Sequence, residues 1–318
     1  MSAPRDESIP PNAPRQNGVN KSVTTLAETA FSPSGTPVFP LSSDEIRALV
    51  RAALQEDAVD NDVTTLATVV SDRRSRAALV ARRQGVICGT PFAMEAFRQR
   101  DPNVVIREDV KEGATVERAA KVLFLNGNAR GLLTAERVAL NFMQRLSGIA
   151  TLTAQYVNAI RGTRAKILDT RKTTPGWRRL EKYAVRCGGG LNHRNDLAQA
   201  VLIKDNHLAA VDGNIALAVS RARAIAPNTM RVEVECENLD QVSAAVKAGV
   251  DVILLDNMRL QEMREAVQLV SGRAVIEASG GVNLQTVCGI AETGVDWISV
   301  GSITHSPPAL DLALDFDE

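Results

Sequence analysis

The chain has 318 residues, with 37 Lys+Arg balanced by 37 Asp+Glu, 45% hydrophobic residues and 3% aromatics. That length holds one large or two ordinary domains, and no apolar run approaches the roughly 18 residues of a membrane span, which excludes a transmembrane protein. Zero net charge and few aromatic rings argue against a general nucleic-acid binder, so any attraction for a ligand has to be local.

Seven of the thirteen prolines lie in the first forty residues, among many Ser, Asn, Thr and Gly and without hydrophobic periodicity. Residues 1–40 therefore read as a disordered Pro-rich extension. Asp6, Glu7 and Glu28, with no continuous apolar core around them, fit neither a secretory signal nor a transit peptide. Cys88, Cys187, Cys236 and Cys288 are spaced 99, 49 and 52 residues apart, with no close pair of the kind zinc sites or redox motifs use. They read as reduced structural thiols, and the protein as cytoplasmic.

Order is expected to begin at Ser42, an N-cap with Glu45 three residues on as in a capping box, and Leu41 and Ile46 placed as a hydrophobic staple. The helix should run to about Gln55. Asp57, Asp60 and Asp62 lack the twelve-residue calcium-loop pattern and read as turn and cap residues. Short strands are expected at 76–81, 85–89, 104–108 and 121–126, giving an α+β domain over residues 41–139. The C-terminal tail, residues 306–318, is a candidate to pack on it. From Thr134, Ala135, Val138, Phe142, Leu146 and Ile149 recur at helical steps, predicting a long helix that bridges two domains, with a break near Ser147-Gly148.

Beyond Gly162 the chain alternates apolar runs with amphipathic segments, the mark of a parallel sheet built from βα units over residues 140–305. Six strands are expected, at 165–169, 200–204, 231–236, 251–256, 274–279 and 297–301. Helices at 239–248 and 284–292 should stop near Gly249 and Gly294. Regular spacing without a G-x-G-x-x-G turn favours a barrel over a dinucleotide fold.

Each run ends in or near a polar group: Asp169, Lys204 with Asp205, Glu233 or Glu235, Asp256, Glu277 with Ser279, then Ser299 and Gly301. In a βα barrel those ends surround one pocket. Between Arg161 and His207 there are eleven Lys+Arg against four Asp+Glu, in a chain whose total charge is zero. Arg171-Lys172, His193-Arg194 and Lys204 sit at strand ends or beside the Gly188-Gly189-Gly190 loop, so an anionic small-molecule ligand is expected. The glycines of Ala278-Ser279-Gly280-Gly281 and Val300-Gly301-Ser302 would let backbone N–H groups approach a phosphate. Glu233 and Glu235 share a strand face, and Glu235 lies nearer the mouth. With Asp256 it could hold ribose hydroxyls or, through Mg²⁺, a pyrophosphate. A salt bridge to nearby cations is the competing reading, and the sequence leaves both open.

Several motifs carry a resemblance: Leu132-Leu133-Thr134-Ala135-Glu136-Arg137 with Asn141, Leu146-Ser147-Gly148-Ile149-Ala150-Thr151, the run from Asp169 to Gly176, Lys182-Tyr183-Ala184-Val185, Gly188-Gly189-Gly190 with His193-Arg194, and Lys204-Asp205-Asn206-His207. Leu255-Asp256-Asn257, Glu277-Ala278-Ser279-Gly280-Gly281 and the run from Val300 to Ser306 continue it. Over nearly everything after residue 40, the chain resembles the quinolinate phosphoribosyltransferase family. The resemblance implies transfer of phosphoribose from 5-phosphoribosyl 1-diphosphate to quinolinate with decarboxylation, giving nicotinate mononucleotide for NAD synthesis. It also implies Mg²⁺, and an open α/β barrel of about six to seven parallel strands with an N-terminal α+β domain. A homodimer with shared active sites is implied, assemblies beyond the dimer being left open, with neither nucleic acid nor membrane as partner. Under it Arg171, His193 and Arg194 bind substrate, and Arg137 is supplied across the subunit interface. Lys172, Lys204, Glu235 and Asp256 are catalytic, with Glu235 and Asp256 placed to hold the metal directly or indirectly. Ser279, Gly280, Gly281, Gly301 and Ser302 hold phosphate.

Overall fold

The computed structural model describes residues 37–317. Helix α1 (Ser43–Glu56) starts where its capping box dictates: Ser42 Oγ accepts from the Glu45 N–H at 3.3 Å, and Glu45 Oε2 accepts from the Ser42 N–H at 2.8 Å. The expected disordered extension lies outside the described residues except for residues 37–40, and these are packed. The Phe39 ring lies 4.8 Å from Tyr183 and 5.7 Å from Phe92, and Arg179 donates to the Pro40 carbonyl. One large aromatic with a pocket to enter outweighs the proline-rich composition around it. The acidic trio behaves as turn and cap residues. Asp62 Oδ1 caps α2 (Val63–Thr68) through the Thr65 N–H at 3.0 Å, and Asp60 pairs with Arg100 at 2.7 Å.

The N-terminal half is built on β1 (Arg74–Ala81), β2 (Gly85–Val86), α3 (Thr90–Arg100), β3 (Val105–Glu108), β4 (Thr115–Val116) and β5 (Lys121–Asn128). Strand β2 is shorter than expected. Past Val86 the backbone turns to a side chain instead of a strand: Ser147 Oγ accepts from the Cys88 N–H at 2.9 Å and donates to its carbonyl at 3.0 Å.

That serine sits on α4 (Ala129–Ala159), which begins earlier than expected because Asn128 Oδ1 caps it through the Gly131 N–H at 3.1 Å. The helix continues through Ser147-Gly148 without the expected break. Gly148 is a notch: a Cβ there would collide with the Pro308 carbonyl, so the glycine admits the crossing of the chain's last segment.

The second half contains β6 (Lys166–Leu168), α5 (Arg178–Cys187), β7 (Val201–Ile203), α6 (Asp205–Ala209), α7 (Ile215–Ile225), β8 (Val232–Cys236), α8 (Leu239–Ala248), β9 (Val252–Asp256), α9 (Leu260–Val270), β10 (Val275–Ser279), α10 (Val287–Ala291), β11 (Trp297–Ser299) and α11 (Ser302–His305). The six strands pair in parallel in the order β6-β11-β10-β9-β8-β7. Edge strands β6 and β7 do not pair with each other, so the barrel is open. Helix α10 starts late because Asn283 Oδ1 takes the N–H groups of Gln285 and Thr286 at 2.9 and 3.0 Å, an Asx turn in place of a first helical turn. The final strand β12 (Leu312–Phe316) returns to the first half and extends its antiparallel sheet, in the order β12-β1-β5-β3.

Alternation along the barrel strands divides two interiors. Outward residues such as Ile253, Leu255, Ala278 and Ile298 join the large core beneath the helices. Inward Leu168, Val252 and Trp297 form a separate apolar cluster with Leu191 and Val275, which closes the barrel floor. Above that floor the inward positions become polar: Glu233, Glu235, Asp256, Glu277, Ser279 and Ser299.

Candidate active site

The carboxyl ends of the strands enclose a cavity of about 740 Å³. It is lined by the cations Arg171, Lys172, His193, Arg194 and Lys204, the carboxylates Glu235, Asp256 and Glu277, and the loop residues Ser279, Gly280, Gly281, Gly301 and Ser302. Residues far apart in sequence meet here because parallel strands present all their carboxyl ends to one side. Arg137 is the exception among the expected site residues. It lies exposed on α4 and does not line the cavity.

The loop carrying Arg171 and Lys172 is held from three sides. Thr304 Oγ1 donates to the Lys172 carbonyl at 2.8 Å, and buried Glu181 of α5 accepts from the Thr174 N–H at 3.1 Å and the Thr174 hydroxyl at 2.8 Å. Arg145 of α4 donates to Glu181 and to the Thr304 carbonyl, both at 2.7 Å, so this arginine ties α4, α5 and α11 together. At the next residue of α5, a buried ion pair of Lys182 with Asp169 grips the His193 backbone. Asp169 Oδ1 accepts from the His193 N–H and Lys182 Nζ donates to its carbonyl, each at 2.9 Å. Burial pushes the Asp169 carboxyl up and the Lys182 ammonium down, and each partner opposes the other's shift.

The His193 side chain enters the barrel above two buried glutamates. Its Nε2 lies 3.2 Å from Glu233 Oε2 and 3.5 Å from Glu277 Oε2, and the Ser299 hydroxyl donates to Glu277 Oε1. Burial pushes the imidazole down, but hydrogen bonds and charge from both carboxylates outweigh it and raise its pKa from 6.5 to about 10. The Arg194 N–H donates to His193 Nδ1 at 2.8 Å, which favours a neutral ring. One such bond is worth about 1 kcal/mol, whereas two close buried carboxylates act with several kcal/mol, so the cation prevails. Burial, followed by repulsion from Glu277, pushes the Glu233 carboxyl up.

At the rim, Lys204 Nζ pairs with Glu235 Oε2, and Asp256 Oδ2 accepts from Asn257 Nδ2 at 2.8 Å. Asp256 and Ser279 are partners in the β9–β10 register, which sets the acidic edge beside the glycine loop. Gly280 has φ +90°, and a Cβ there would strike the Asn257 side chain, so the loop needs glycine for both conformation and space. Thr170, Asn257 and His305 also line the cavity and lie outside the sequence-based set. Glu277 stands out in sequence only as a strand-end acid. Its contact with His193 depends on a loop folding back into the barrel, for which the strand pattern carries no signal.

The model of the quinolinate phosphoribosyl transferase N-terminal domain matches residues 62–147, and that of the C-terminal domain matches residues 149–315. The chain belongs to the quinolinate phosphoribosyltransferase family. The two family domains meet at Gly148, inside α4. A nicotinate-nucleotide pyrophosphorylase [carboxylating] of Mycobacterium leprae is 44% identical over 280 residues, 86% of this chain and 97% of that protein. The solved nicotinate-nucleotide pyrophosphorylase of Francisella tularensis has TM-score 0.82 and 40% identity, covering 89% of this chain and all of that one. That of Ehrlichia chaffeensis has TM-score 0.81 and 41% identity, covering 87% and 99%. The glycines of the two loops and the basic residues of this chain line a single cavity.

Proposed function

We propose that the chain transfers phosphoribose from 5-phosphoribosyl 1-diphosphate to quinolinate, releasing diphosphate and carbon dioxide and leaving nicotinate mononucleotide for NAD synthesis. One observation carries this reading: five cationic side chains, an acidic pair and a glycine-lined loop occupy the same cavity, which suits two polyanionic reactants held side by side. Family membership and the full-length relatives named for this activity support it.

The planar guanidinium groups of Arg171 and Arg194, with the His193 cation, suit the two carboxylates of the pyridine. They hold the ring with its nitrogen toward the sugar, which removes much of the orientational cost of the reaction. The backbone of Ser279 to Gly281 and of Gly301-Ser302 receives the 5-phosphate, while Lys172 and Lys204 supply compact charge to the departing diphosphate. The pyridine nitrogen bonds to the ribose anomeric carbon as the bond to diphosphate oxygen breaks, and diphosphate takes that electron pair. The carboxylate next to the nitrogen then leaves as carbon dioxide. Its electron pair stays on the ring carbon beside the pyridinium, where a proton replaces the lost group.

The donor set at the rim fits Mg²⁺, since Glu235 and Asp256 offer carboxylate oxygens and a hard cation bound by two carboxylates also takes substrate oxygens. Bound there, Mg²⁺ would neutralise diphosphate charge. Arg137, exposed on α4, fits the role of a side chain given to the neighbouring subunit of a homodimer. Exposed Val63, Leu66 and Val70 (77%, 50% and 66%) on and just after α2 support an apolar interface in the same half. No helix among the described residues is long and apolar enough to cross a membrane, and all four cysteines are free, which suits a reducing compartment such as the cytoplasm.

The purified chain, given quinolinate, 5-phosphoribosyl 1-diphosphate and Mg²⁺, should form mononucleotide and carbon dioxide in equal amounts. Turnover of a different pyridine, with none of quinolinate, would overturn the substrate assignment.

A further inference from the structure

Outside the cavity just described, two cysteines that lie far apart in sequence are neighbours. Cys88 follows β2, Cys187 closes α5 and Glu112 lies between β3 and β4. One sulfur from each cysteine and one carboxylate oxygen all lie within 4.8 Å of one another, with both cysteines buried. Tyr183 lies beside the same carboxylate. None of these groups faces the reacting cavity.

We propose that Cys88, Cys187 and Glu112 form a binding site for a thiophilic divalent cation of the zinc type. The donor chemistry selects it: two sulfurs and one oxygen from three separate elements suit a borderline-soft, tetrahedral ion and not the all-oxygen shell of Mg²⁺. The third ligand is oriented from behind. Glu112 Oε2 accepts from the Gly89 N–H at 3.0 Å, and Oε1 accepts from the Thr90 N–H and Thr90 hydroxyl at 2.9 Å each, the kind of outer hydrogen bonding that fixes a metal-binding carboxylate. Two thiol protons leave to solvent as the dication arrives, so the net charge of the pocket does not change. The positive N-terminal end of α3 and the Arg186 guanidinium, 5.8 Å from the Tyr183 ring centre, offset the negative charge of the ligands.

The ion would join the two halves of the molecule. Cys88 and Glu112 come from the N-terminal half, whereas Cys187 sits immediately before Gly188-Gly189-Gly190 and the His193-Arg194 loop. It would pin the end of α5 from which that loop departs.

Cobalt serves as the spectroscopic probe. Titrated into the reduced full-length protein, it should give a sulfur-to-cobalt charge-transfer band that saturates at a single equivalent, is displaced by zinc and is untouched by excess magnesium. The band should vanish in Cys88→Ala and in Cys187→Ala and persist in Cys288→Ala, whose thiol is exposed. Glu112→Gln should keep the sulfur band but shift the titration to higher cobalt. The proposal is overturned if the folded wild-type chain gives no band, or if the band survives loss of either buried cysteine. Closure of Cys88 and Cys187 into a disulfide in place of cobalt uptake also overturns it. Since the wild-type spectrum decides by itself, a variant that fails to fold does not blunt the test.

Discussion

His193 Nε2 lies 3.2 Å from Glu233 Oε2, so the histidine that presents charge to the cavity stands on a carboxylate buried in the barrel. With Glu277 Oε2 3.5 Å from the same nitrogen, the imidazole pKa rises from 6.5 to about 10. A group whose folded pKa exceeds its unfolded one stabilises the native state fully below the unfolded value and ceases to do so as pH climbs through the folded one. His193 should therefore contribute its full stabilisation below pH 6.5 and lose it by about pH 10. Ring resonances of ¹⁵N-histidine protein, assigned by their loss in His193→Gln, should report an imidazolium at pH 8. Glu277→Gln should move that titration to lower pH. A neutral His193 ring at pH 7 would show that the Arg194 N–H, not the carboxylate pair, sets its charge.

Arg171 and Lys172 sit on a loop whose backbone, not their own side chains, is tied to Thr304 and Glu181. Their heads face the cavity. Removing either should cost catalysis without unfolding the protein. We expect Arg171→Ala and Lys172→Ala each to lower kcat/KM by about 100-fold, the loss typical of one group removed from charge stabilisation. The thermal midpoint should shift little. A parallel fall in midpoint and activity would assign these side chains to the fold.

The Asp169–Lys182 pair is a different case, because both members are buried and together they clamp the His193 backbone. Breaking the pair from one side leaves an uncompensated buried charge, so Lys182→Met should destabilise by about 3–5 kcal/mol in urea unfolding. Adding Asp169→Asn should restore much of that stability. It should not restore kcat/KM, because the amide cannot rebuild the grip on the His193 carbonyl that Lys182 supplied. Recovery of activity along with stability would make the pair a matter of folding alone.

The parts of this architecture that follow from local chemistry are legible in the sequence. The α1 capping box, the six parallel strands and the convergence of Arg171, Lys172, His193, Arg194 and Lys204 each depend on periodicity or on a strand end. What escapes the sequence depends on packing between remote segments. Ser147-Gly148 reads as a helix break, yet the serine serves the Cys88 backbone and the glycine admits Pro308, neither of which lies nearby in the chain. Phe39 stays hidden within a proline-rich stretch because its partners, Phe92 and Tyr183, come from opposite halves. Cys88 and Cys187, 99 residues apart, carry no spacing signal for the same reason.

Arg137 provides the sharpest test of a shared site, since it is exposed on α4 and lines none of its own chain's cavity. If it completes a neighbour's site, Arg137→Ala and His193→Ala chains are each inactive alone but complementary. In a dimer of one of each, one site loses both side chains and the other keeps both. Random mixing makes half the dimers mixed, so about a quarter of the sites should regain activity. The assay is kcat of an equal mixture after subunit exchange, with exchange verified by differently tagged chains. Exchange without recovery would place Arg137 outside the reaction and leave the cavity of a single chain sufficient.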